Sequence, residues 1–184
     1  MNGREDIVLT EPGLAQEADA KAYFQECFLA DKGTVHGSGG FGSFEEYAQW
    51  LAFNEAMKTK PVNPDWVRGS TLLATRKRDG RIVGMLNLRY ELNESLLQTG
   101  GHIGYSVRPS ERRKGYATQM LRQALQICQS MGIDPVLVTC AEDNAASAGV
   151  IKKCGGMLEN TVFDEEDQEM TQRYWIRLGK NAQK

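Results

Sequence analysis

Histidine and cysteine are scarce in this chain. Among 184 residues there are two histidines, His36 and His102, and four cysteines, Cys27, Cys128, Cys140 and Cys154, with no C-x-x-C pair. That argues against a zinc constellation, and no metal site is expected. Long apolar runs are also missing. Met1 to Thr10 carries Arg4, Glu5 and Asp6, so neither a signal peptide nor a membrane-spanning helix is expected. A cytoplasmic setting with free thiols is the default expectation. Charge of one sign is not in excess either: 22 basic and 24 acidic residues leave a formal charge of −2. A dedicated nucleic-acid binder would show a basic surplus, so neither nucleic acid nor membrane is expected as a partner. What remains is ordinary globular material, 41% hydrophobic and 25% charged, in a chain long enough to bury roughly 70% of its unfolded surface without a disulfide or metal staple.

The pattern along the chain alternates. Ile7-Val8-Leu9 reads as a strand, and Glu11 to Ala30 as a helix with Leu14, Ala18, Ala22, Tyr23, Cys27 and Phe28 near one face. A glycine-rich loop follows. Ser43 with Glu46 three residues on forms a capping-box pattern that opens a second helix, with Phe44, Tyr47, Trp50 and Leu51 on its apolar side. Thr71 to Arg76 and Arg81 to Leu92 flank the Asp79-Gly80 hairpin signal. His102 to Val107 reads as a strand, Gly115 to Met131 as an amphipathic helix, Val136 to Cys140 as a buried strand, and Asn144 to Lys153 as a helix closed by Gly155-Gly156. Met157 to Phe163 and Tyr174 to Leu178 complete the order as a strand pair around an acidic turn. The expectation is one α/β (α+β) domain over 1–184: a strand and two helices over 5–60, a hairpin over 70–92, a core over 101–156 and a strand pair over 157–178.

The segment richest in chemistry is His102 to Ala117. An apolar strand runs into Arg108-Pro109-Ser110-Glu111-Arg112-Arg113-Lys114-Gly115-Tyr116-Ala117, and a helix begins at once. A helix start leaves N–H groups without partners and carries positive potential. Gly115 and Ala117 allow close approach to the backbone, and Arg112, Arg113 and Lys114 add cationic charge. Such a site suits a phosphate or pyrophosphate. The plainer reading of the same residues is a solvated basic turn. Arg112-x-x-Gly115-x-Ala117 resembles the R/Q-x-x-G-x-G/A pyrophosphate loop of the GNAT acetyltransferase superfamily. Val136 to Cys140 followed by Asn144, Ser147 and the Lys-Lys-Cys-Gly-Gly step at 152–156 is similar to that family's second motif.

The resemblance implies a GNAT-like, mostly antiparallel central sheet of six to seven strands with about four helices, and acetyl-CoA as co-substrate. It implies that coenzyme A lies where the fourth and fifth strands part. Main-chain groups near Ser106, Val107 and Arg108 would bond the pantetheine, with Arg112 and the backbone of Arg113, Lys114, Gly115, Tyr116, Ala117 and Thr118 around the pyrophosphate, and Asn144 and Ser147 beside the arm. The implied reaction moves the acetyl group directly to an amine, with a small-molecule acceptor favoured, in a monomer or homodimer. The alternatives are a protein lysine or N-terminus as acceptor, or a silent acyl-CoA-binding module. A base must deprotonate the ammonium. His102 and Glu91 are the candidates, His102 having a strand-edge polar role as its alternative. The Val107 N–H is the candidate oxyanion donor. Ile151 stands where many family members have a tyrosine close to the departing sulfur, so Tyr105, Tyr174 or water is left to protonate it, or the thiolate leaves unprotonated.

Other features invite plainer readings. Gly37-Ser38-Gly39-Gly40-Phe41-Gly42 matches G-x-G-x-x-G, but no convincing strand precedes it, so a substrate-side loop is expected instead. His36, Phe41, Phe44, Tyr47 and Trp50 either line an acceptor pocket or pack a core. The cysteines are expected to be structural, although two lysines before Cys154 could lower its pKa. The acidic run at 164–167 and the Arg76-Lys77-Arg78 cluster are expected to be solvated.

Overall fold

In the computed structural model, which describes residues 6–179, seven strands and four α-helices follow the order β1 (Ile7–Thr10), α1 (Glu17–Ala30), α2 (Tyr47–Met57), β2 (Gly69–Arg76), β3 (Ile82–Arg89), β4 (Ile103–Val107), α3 (Tyr116–Ser130), β5 (Val136–Ala141), α4 (Ala145–Lys153), β6 (Met157–Asp164) and β7 (Glu169–Ile176). Residues 1–5, including the expected start of the first segment at Glu5, and residues 180–184 lie outside the described part. The strands form two sheets, β1-β2-β3-β4 and β5-β7-β6, and every paired neighbour is antiparallel. Among the described residues no helix is long and apolar enough to cross a membrane.

Side-chain alternation builds two cores on the first sheet. Leu72 and Ala74 join Leu86, Met120 and Leu121 under α3, whereas Leu73 joins Tyr23, Trp50 and Met85 under α1 and α2. Successive strand residues point to opposite faces, so one strand feeds both layers. In α3, Tyr116, Met120, Leu121, Ala124, Leu125 and Cys128 are buried, the spacing of one helical face.

Several expectations are corrected. Helix α1 starts at Glu17 rather than Glu11. A short 3-10 turn at Leu14–Gln16 precedes it, and Gln16 Oε1 accepts the Gly13 N–H at 2.8 Å. Its buried face is Ala20, Tyr23 and Cys27, while Leu14 and Phe28 are exposed. Helix α2 is capped by Glu46 and Gln49 rather than by Ser43, which ends a separate turn. Strand β7 begins at Glu169 rather than Tyr174, its first half pairing with β5 and β6 although it is polar and carries little strand signal in sequence; only Thr171, Tyr174 and Ile176 of it are buried. Arg76 is not solvated. It is buried, with Asp79 at 2.7 Å and Glu111 at 2.9 Å. The end of the β2–β3 hairpin thereby braces the turn that leads into α3.

Candidate active site

The site starts at the seam between the two sheets. The His102 N–H donates to Leu137 O at 2.8 Å, and the Leu137 N–H donates to His102 Nδ1 at 2.9 Å. Past this junction β4 and β5 share no ladder and belong to different sheets. Along β4 the backbone alternates. The His102 carbonyl accepts from Arg89 and the Arg108 N–H donates to Val83 O, each at 2.8 Å. Even-numbered residues therefore face β3, and the main chains of Tyr105 and Val107 turn into the opening. A cavity of about 900 Å³ fills it.

At one end of this cavity lies the basic turn. The six successive N–H groups from Arg113 to Thr118 find no acceptor among the described residues. Arg113 (φ 63°) and Gly115 (φ 83°) both adopt left-handed backbone, which folds the turn around these amides. An added Cβ at Gly115 would meet nothing within 4 Å, so the space before the helix start is open. Arg112 and Lys114 are not free charges. Arg112 pairs with Asp31 at 2.5 Å and donates from Nε to Val107 O at 3.1 Å. Lys114 pairs with the buried Glu111 at 2.7 Å and does not line the cavity. Arg113 lines the cavity and has no ion pair among the described residues.

The opposite wall comes from α4. Asn144 caps this helix by accepting the Ser147 N–H on Oδ1 at 3.0 Å, which leaves its NH2 group for a ligand. The Ser147 hydroxyl lies 2.8 Å from the Tyr105 hydroxyl, and both line the cavity. Burial pushes the Tyr105 phenol up to about 12, the hydrogen bond to Ser147 opposing this only in part. It therefore stays protonated and able to donate. Ile151 is fully buried in the core, whereas Tyr105 lines the cavity from β4, with its hydroxyl on Ser147.

A second cavity of about 530 Å³ lies against the glycine-rich loop and the end of β3. His36 lines both cavities. The loop is pressed onto β4: a Cβ on Gly37 (φ +74°) would stand 2.6 Å from Gly104 O and 2.7 Å from Tyr105 Cα, so only glycine fits. The hydroxyl of Ser106 donates to His36 O at 2.5 Å. The Tyr23 hydroxyl, in turn, donates to Ser106 O at 2.9 Å and accepts the Met85 N–H at 3.1 Å. This chain of hydrogen bonds, invisible in sequence, fastens the His36 backbone to β4, while the residue itself stays exposed.

The structure separates the remaining sequence candidates. His102 is buried at the seam and lines neither cavity. Burial, with the nearby Arg89 charge, holds its pKa below the ordinary imidazole value. Glu91 is tied to Arg68, whose Nε donates to it at 2.9 Å, and lines neither cavity. Arg108 is directed away from the opening, its guanidinium buried against Asp19 at 2.6 Å and over the Tyr23 ring. Phe41, Tyr47 and Trp50 pack the core, as their plainer reading expects. The G-x-G-x-x-G stretch follows a turn rather than a strand. Cys154 is shifted up, not down, because burial outweighs the neighbouring Arg122 charge.

Known proteins share this fold. Residues 13–157 match a family described as an acetyltransferase (GNAT) domain. A search of curated proteins finds no match. Among solved structures, a ribosomal-protein α-N-acetyltransferase, RimL, in complex with coenzyme A superposes with a TM-score of 0.70 at 14% identity, over 96% of each chain. A microcin self-immunity acetyltransferase, MccE, in complex with acetyl-CoA and AMP gives 0.67 at 17% identity, over 95% of this chain and 94% of that one. A GNAT-family acetyltransferase from Bacillus anthracis gives 0.64 at 15%, over 94% and 95%.

Proposed function

The chain belongs to the GNAT acetyltransferase family, and we propose that it transfers the acetyl group of acetyl-CoA directly to a primary amine of a small-molecule acceptor. One observation carries the reading: six successive unpartnered amides, all but Lys114 on residues that line the cavity, stand where it runs on into the parted strands. In this reading the amides of Arg113 to Thr118 take the pyrophosphate, and the outward main chains of Tyr105 and Val107, with the Asn144 carboxamide, take the pantetheine arm. Rigid donors on a strand and a helix start lose little freedom on binding. MccE and RimL bind acetyl-CoA and coenzyme A on the same fold.

The chemistry follows from the same positions. An alkyl ammonium has a pKa of about 10 and must lose a proton before its nitrogen attacks the thioester carbon. His36, where the two cavities meet, is placed to take it. The Val107 N–H faces the gap and polarises the carbonyl oxygen. The C–S bond then breaks, and the Tyr105 hydroxyl donates toward the departing sulfur, with Ser147 orienting it. The second cavity, about 530 Å³, favours a small acceptor over a peptide. The test is a thiol-release assay with acetyl-CoA and a panel of amines, beside calorimetry of coenzyme A. Micromolar coenzyme A binding with amine-dependent thiol release is expected. Binding without release from any amine would make the chain an acyl-CoA-binding module.

A further inference from the structure

Taking the second cavity as the acceptor pocket of the proposed transferase, we infer that the acceptor carries a carboxylate, received by the guanidinium of Arg89. Arg89 ends β3 and lines that cavity. Its Nη1 donates to Gly100 O at 2.8 Å and to Gly101 O at 3.0 Å. It makes no ion pair among the described residues, whereas the buried Arg76 and Arg108 both face carboxylates. A guanidinium withdrawn from water without a counter-charge is costly, and burial lowers its pKa accordingly. A carboxylate that docks on the free edge of the fork removes that cost and makes a charge-assisted bond.

The surroundings specify the charge. Asn54, Asn87, Asn93 and Ser95 in the lining carry no charge, His36 is the other titratable group there, and neither lysine nor acid lines the cavity. One fixed positive charge matches a monoanion better than a phosphate dianion. The space is also kept open. An ideal Cβ on Gly104 would stand 3.7 Å from Arg89 Nη2 and 3.6 Å from Gly37 N. A methyl at 104 would fit there in ordinary contact, between the guanidinium and the Gly37 backbone, and take up room that glycine leaves beside Nη2. A molecule with its carboxylate at Arg89 and its amine toward His36 is an amino carboxylate.

The test pairs amino acids with their carboxamides, leucine with leucinamide and methionine with methioninamide, in the thiol-release assay. The carboxylate member should show kcat/KM at least tenfold higher. Arg89→Gln should erase this preference, and Arg89→Lys should restore part of it. Equal use of both members, or an undiminished preference in Arg89→Gln, overturns the inference. A binding arm is independent of turnover: the coenzyme A complex is titrated with propionate and with inorganic phosphate. Propionate should bind to wild type and lose at least tenfold in Arg89→Gln. No propionate binding, or tighter phosphate than propionate, overturns the carboxylate site. Failure of thiol release with intact propionate binding counts against the transferase reading alone. If Arg89→Gln does not fold, Gly104→Ala serves, since its methyl would sit in ordinary contact and narrow the same space. A propionate affinity unchanged by that methyl also overturns the inference.

Discussion

His102 and Leu137 close the two sheets on each other, exchanging an N–H···O bond of 2.8 Å and an N–H···Nδ1 bond of 2.9 Å. The second bond requires a neutral imidazole, because a protonated ring would set N–H against N–H. The folded protein holds the His102 pKa below its unfolded value of about 6.5. The unfolded chain therefore binds the proton more readily. Stability from this group is fully present above pH 6.5 and is lost as the pH falls toward and through the depressed folded value. Denaturant melts from pH 8 to pH 5 should show this decline. His102→Asn keeps an acceptor near the Nδ1 position without a titrating ring, and the decline should flatten. An unchanged slope in that variant would remove His102 as its source.

His36 and His102 should separate cleanly in kinetics. His36→Ala is expected to lower kcat by about 10²–10⁴, the usual worth of a general base, while the coenzyme A affinity measured by calorimetry stays within about twofold. His102→Asn should leave kcat within a few-fold. The reverse pattern would return the base to the seam.

Tyr105→Phe removes one hydroxyl from the wall of the cavity. With a phenol pKa of about 12, the group donates across the whole working range of pH. Its loss should reduce kcat by roughly ten- to a hundredfold without introducing a new pH dependence. A hydrogen bond lost to Ser147 is worth only about 1 kcal/mol, so Tm should move little. A turnover equal to wild type with a coenzyme A substrate would assign the sulfur-side proton to water.

Gly115→Glu tests the anion turn. The new Cβ meets no atom within 4 Å, and the left-handed backbone (φ 83°) costs about 1–2 kcal/mol for any L side chain. The fold should survive. A carboxylate before the unpartnered amides should weaken coenzyme A by at least a hundredfold. Gly115→Ala, carrying the same backbone strain without the charge, is the control. Equal affinity for both variants would mean that the diphosphate does not sit there.

Much of the architecture was legible because its signals are local. Met120, Leu121, Ala124, Leu125 and Cys128 recur at helical spacing and are buried as that spacing implies. Asp79-Gly80 marks a turn, and Gly80 takes φ 72° there. Arg112-x-x-Gly115-x-Ala117 marks the turn that opens α3. Less local features were misread. Arg76 looks solvated in a basic triplet, yet Glu111, 35 positions on, supplies its buried partner. The polar first half of β7 pairs with β5 and β6 without an apolar alternation to announce it. Arg89 carries no distinguishing mark in sequence, since a lone arginine at a strand end is ordinarily solvated.

The sequence by itself determined most of the element order, the glycine turn that opens α3 and the family, because each rests on spacings within a few residues. Only the tertiary structure decided which groups meet at the two cavities. It turned His102 into a seam, put His36 between two cavities, and brought the Tyr105 hydroxyl to the gap while Ile151 of α4 is buried in the core. Those outcomes depend on which backbone edges are consumed by neighbouring strands and which remain open, and that is settled only when segments far apart in the chain pack together.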